Sequence, residues 1–97
     1  MRLGNRSSLT TGSKTVTTAG VAEQLPDIAV PENFEATVTA KYTNTGKIYL
    51  GGTKAEAEAH TLSLGFDDIW HDFIANLNVL WIDAAVSGEG IDYIVPQ

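Results

Sequence analysis

Residues 34–42 read FEATVTAKY, in which Phe34, Ala36, Val38, Ala40 and Tyr42 alternate with Glu35, Thr37, Thr39 and Lys41. Successive side chains of a strand point to opposite faces, so this period of two sends the first set inward and the second into water. The same preference recurs along the chain in shorter pieces. Strands are expected over 13–18, 21–25, 34–42, 47–51, 60–64, 68–74, 79–86 and 91–95. The segments between them are rich in Gly, Pro, Asn and Asp, the residues that turns demand. Thr43-Asn44-Thr45-Gly46 reads as a tight hairpin returning 47–51 beside its neighbour, and Ser87-Gly88-Glu89-Gly90 as a second one returning 91–95. The apolar run VLWIDAAV at 79–86 suits a central strand.

Two segments admit another reading. Residues 52–59 (GTKAEAEA) have helical propensity but lack an apolar stripe, so a loop with at most one helical turn is expected. Over 68–78, Ile69, Phe73 and Leu77 also fall near helical spacing, leaving a helix as the competitor to a strand. About eight short strands with turns every 8–12 residues point to an all-β fold, a small antiparallel β-sandwich of jelly-roll type. Residues 1–12 (MRLGNRSSLTTG) show no periodicity and read as a flexible N-terminal arm preceding a single domain over 13–97.

Charge and composition narrow the function. Six Lys and Arg against twelve Asp and Glu give a net charge of −6, which argues against a nucleic-acid partner, because phosphate binding needs a basic face. No stretch approaches the roughly 20 apolar residues of a membrane-spanning helix, and no signal peptide is expected at Met1–Arg6. The chain has no cysteine, which removes disulfides, thiolate metal sites and thiol catalysis. A core this small benefits from shared burial, so a homo-oligomer is expected.

Candidate chemistry is sparse. His60 and His71 could join Asp67, Asp68 and Asp72 in a metal cluster, but strand alternation scatters neighbouring side chains to opposite faces. The carboxylates could in principle serve glycoside hydrolysis, which needs a paired arrangement in a cleft that 97 residues scarcely provide. No nucleophile elbow or phosphate-cradling loop is present. No enzyme, cofactor, metal or small-molecule substrate is therefore expected. The aromatic residues are expected mainly to fill the core, with Trp70 or Trp81 as candidate interface anchors. The arm offers Arg2 and Arg6 as cations and Leu3 and Leu9 as apolar anchors for a partner surface.

Four pieces of the chain carry a resemblance: SKTVTTAGVAEQLP at 13–26, NTGKIYLGG at 44–52, LSLGFDDIW at 62–70 and NLNVLWIDAAVSGEGIDYIV at 76–95. Together they resemble small β-sandwich structural proteins of tailed bacteriophages, while TKAEAEAHT at 53–61 departs from the pattern. The resemblance implies a virion component, made in the host cytoplasm, that assembles with itself and with the shell; the role expected here is a trimeric decoration (cement) protein bound to the major capsid protein on the outside of the head. The alternative it implies is a head-fibre or tail-associated module that recognises a glycan or a surface protein of the host. Arg2, Leu3, Arg6 and Leu9 are then the expected partner-binding residues.

Overall fold

The computed structural model describes residues 8–97, which form eight strands and little helix. In chain order these are β1 (Leu9–Thr15), β2 (Glu23–Gln24), β3 (Ala36–Ala40), β4 (Ile48–Gly51), α1 (Lys54–Glu58), β5 (Leu62–Leu64), β6 (Ile69–Asp72), β7 (Trp81–Ala84) and β8 (Gly90–Pro96). A 3-10 turn at Leu77–Val79 precedes β7. The strands make two four-stranded antiparallel sheets, ordered β1-β8-β3-β6 and β2-β7-β4-β5.

The pairing explains the order. β1 pairs with β8, β2 with β7, β3 with β6 and β4 with β5, as the two arms of one long hairpin would. Rolling that hairpin up adds β3 beside β8 and β4 beside β7. This is the eight-stranded jelly roll anticipated from the turn spacing.

The roll-up corrects several local expectations. Except for β4 and β5, consecutive strands lie in different sheets. Residues 43–46 and 87–90 are therefore crossings between sheets and not hairpin turns. The arm is also shorter than expected: Leu9–Gly12 belongs to β1, in register with Pro96–Tyr93 of β8. Its backbone groups gain a ladder there, which outweighs the weak strand preference of Gly and Ser. Residues 1–7 lie outside the described residues. Over 68–78 the strand prevails for Ile69–Asp72, because β3 offers it a paired edge. The segment at 52–59 does form a helix, although one of only five residues, with Thr53 Oγ1 accepting from the Glu56 N–H at its start.

The inward faces of the two sheets meet in an aliphatic core. Val16, Val38, Ile48, Ile82, Ile91 and Val95 are all fully buried. Tyr93 is the aromatic member of this cluster, with Trp70 half-buried against it. The expectation that aromatics fill the core is thus overturned: Tyr42, Phe66 and Phe73 are each more than 60% exposed. Ala36, Ala40 and Ala84 are buried in the same cluster, so small side chains take core positions on both sheets.

Candidate functional site

Three places in the fold gather chemistry-bearing side chains: the outer face of the second sheet, the junction of the sheet crossings, and the outer face of the first sheet.

On the second sheet, Asp83 points outward from β7 and is nevertheless completely buried beneath α1 and the loop after β1. Its Oδ1 accepts from the Gly20 N–H (2.9 Å) and the Ala84 N–H (2.8 Å), and its Oδ2 accepts from His60 Nε2–H (2.7 Å). His60 follows α1 in a left-handed conformation (φ 60°) and stacks on Tyr49 with ring centroids 3.8 Å apart. Burial works against the charge on Asp83. The bonds from His60, Ala84 and Gly20 outweigh it and hold the carboxyl below its ordinary value. An Asp–His pair is part of a hydrolytic triad, but a triad also needs a hydroxyl on the imidazole. Among the described residues no Ser or Thr hydroxyl is hydrogen-bonded to His60. The pair instead pins three chain segments together.

Neighbouring carboxylates do the same work. Glu23 holds the Thr17 N–H and Lys14, and Glu58 holds the Ala22 N–H. Both are pulled below their usual values, Glu23 by Lys14 and Thr17, Glu58 by the Ala22 N–H and Lys54.

At the crossings, the two glycine-bearing pieces NTG (44–46) and GEG (88–90) meet. Asn44 is buried, donates from Nδ2 to the Gly90 carbonyl (2.8 Å) and accepts the Gly90 N–H at Oδ1 (3.2 Å). Glu89 accepts from the N–H groups of Thr45 (2.7 Å) and Gly46 (2.9 Å), which lower its pKa. A Cβ on Gly90 would lie 2.0 Å from the Lys14 carbonyl oxygen, so the strand can approach β1 only as glycine. These two segments therefore form the clasp of the roll.

The first sheet presents its outer face to solvent. Its register aligns Thr11, Ile94, Thr37 and His71 in one row and Ser13, Asp92, Thr39 and Ile69 in the next. Leu9, Ile69 and Phe73 are 62–64% exposed and Ile94 44%. Most of the remaining positions carry hydroxyls. The formal charges are locally paired: Lys41 Nζ contacts Asp92 (2.7 Å), and His71 Nδ1 contacts Glu35, which raises the His71 pKa. For Asp92, burial opposes the charge, and Lys41 and Ser13 overcome it, leaving its pKa lowered. At one end of this face, Val30, Pro31, Glu32, Asn33 and Phe34 oppose Phe73, Ile74 and Ala75 across a groove of about 290 Å³.

Of the expected contact residues, Leu9 stands exposed at the start of β1 on this face. Arg2, Leu3 and Arg6 lie outside the described residues. Trp70 and Trp81 are half-buried, not free anchors. His60 and His71 are on different sheets' outer sides, each with its own carboxylate, and among the described residues no three His, Asp or Glu converge as a metal site. No helix among the described residues is long and apolar enough to cross a membrane. The exposed apolar residues of this face were missed in the sequence because the face of Ile69, Phe73 and Ile94 is assigned only by the register. No family model, curated protein or solved structure matches the chain.

Proposed function

We propose that this protein is a virion structural component of a tailed phage, a capsid decoration protein that docks through the outer face of the first sheet. One observation carries the docking reading: Leu9, Ile69, Phe73 and Ile94 are exposed on a face where hydroxyls and internally paired charges replace free charge. Such a surface loses little on desolvation and gains from apolar burial, as interaction sites do. The phage assignment rests on the resemblance of the four sequence pieces. The jelly roll agrees with it, being used in viral shells, but is also used by lectin domains and so does not set the role. Arg2, Leu3 and Arg6 precede Leu9 in the chain and are proposed to add contacts from residues 1–7 to the major capsid protein. Many copies on one shell would gain by avidity.

The test is binding to assembled particles. Hundreds of copies per particle are expected by mass analysis. Ile69→Lys with Ile94→Lys, or deletion of residues 1–7, should lower occupancy at least tenfold with the fold intact. Undiminished occupancy in both variants would overturn the reading.

A second reading has its own observation. Phe34 and Phe73 flank the groove beside Glu32, in the arrangement of aromatic faces and carboxylates that glycans use. A host-recognition module on a head fibre or tail would bind there. It predicts a dozen copies or fewer per particle and signal on a glycan array that Phe73→Ala removes.

A further inference from the structure

Four strands end the two sheets: β1 and β6 in the first, β2 and β5 in the second. An open strand edge is a template for pairing with another chain, and folded proteins blunt it with short strands, charges, proline or a covering segment. Three of these edges are blunted. β2 has two residues and β5 three. β6 carries His71 and Asp72 and follows Asp67 and Asp68. β1 differs from them all. It has seven residues, LTTGSKT, with no acid and no proline. Its single charge, Lys14, is engaged by Glu23 at 2.8 Å. Among the described residues no strand but β8 pairs with it.

The hydrogen bonds fix which groups point outward. Ser8 accepts from the Gln97 N–H (3.0 Å), and the Val16 N–H donates to Glu89 (2.9 Å). Bonded pairs recur at every second residue of an antiparallel ladder. Thr10, Gly12 and Lys14 therefore face β8, whereas Leu9, Thr11, Ser13 and Thr15 turn their N–H and C=O groups to the free edge.

We propose that β1 is a self-pairing edge: two copies join β1 to β1 antiparallel about a two-fold axis, merging their first sheets into one of eight strands. Centring the axis on Gly12 places Leu9 of each copy opposite Thr15 of the other, and Thr11 opposite Ser13. Every outward group is then used, giving up to about eight hydrogen bonds. Charge favours this edge over the others. Copies with a net charge of −6 repel one another, and β1 is acid-free, whereas β6 would set Asp72 and its acidic neighbours against themselves. The occupant of the edge is thus a second copy of this chain. This goes beyond the virion reading and does not depend on it: the test uses the purified full chain without particles.

Light scattering and sedimentation should give twice the 10.4 kDa chain mass, falling to one chain on dilution. Thr11→Pro and Ser13→Pro each remove an N–H from the free edge only, since neither residue donates to β8. Each should weaken dimerisation at least tenfold with an unchanged far-ultraviolet spectrum. Thr11→Cys combined with Ser13→Cys should give a covalent dimer on oxidation, because paired strand residues sit within disulfide reach and the chain has no other cysteine. This second variant decides the matter if a proline variant fails to fold. A monomer at every concentration, or a dimer that neither proline weakens and the cysteines do not capture, would overturn the inference.

Discussion

At the scale of single residues, the most consequential side chain is Asp83, a fully buried carboxylate with three donors aimed at it. Its charge is tolerated because each donor compensates lost hydration. Its pKa lies below the ordinary carboxylate value, so the unfolded chain takes up a proton before the folded one does as pH falls. Its contribution to stability is therefore full above the unfolded value and is lost as pH drops through the folded one. Asp83→Ala leaves His60, Gly20 and Ala84 donors without an acceptor and should cost about 3 kcal/mol at pH 7. Asp83→Asn should cost less at pH 7 and flatten the acid limb of a urea-stability profile. An acid limb as steep as that of the unaltered chain would contradict this account.

At the scale of elements, the crossings hold the roll closed. Neither 43–46 nor 87–90 is a self-contained hairpin, so their backbone groups need partners from elsewhere. Asn44 and Glu89 supply those partners for each other's segment. Asn44→Ala should cost about 2 kcal/mol, since it leaves the buried Gly90 N–H without an acceptor, while the Gly90 carbonyl keeps the Lys41 N–H (3.1 Å) as donor. Gly90→Ala should be worse, because the atom it meets is backbone and cannot step aside. Gly20→Ala has open space around it and pays only for its left-handed conformation (φ 91°), about 1 kcal/mol. Chemical denaturation of the three variants checks that ranking. α1 is an appendage by comparison: it docks where Gly51 lets the Ala57 N–H come within 2.4 Å of a would-be Cβ.

At the scale of the whole molecule, β1 pairs with β8 and β2 with β7, so the termini of the domain must meet before the sheets are complete. Such non-local pairing pays loop-closure entropy early, and sandwiches of this kind fold in milliseconds to seconds. Stopped-flow fluorescence of Trp70 and Trp81 should show refolding in that range; completion within about 100 μs would show that the pairing is not rate-limiting. The same topology creates the features on which function is proposed. Ending the first sheet at β1 leaves a long edge open, and laying β6, β3, β8 and β1 side by side collects Leu9, Ile94 and the pair Ile69 and Phe73 from three distant segments on one face.

The sequence alone determined the strand character of most segments, since FEATVTAKY and its shorter counterparts fit a pleated surface by their period. Turn residues at regular intervals determined the strand number, and the composition determined an acidic, cysteine-free domain. Only the tertiary structure decided which strands are neighbours, because period two says which side chains share a face but not which face meets which sheet. It moved Leu9–Gly12 from an arm into β1, made the expected hairpins into crossings, and placed Ile69, Phe73 and Ile94 on the surface. Those decisions depend on contacts between residues far apart in the chain, where local preference carries no information.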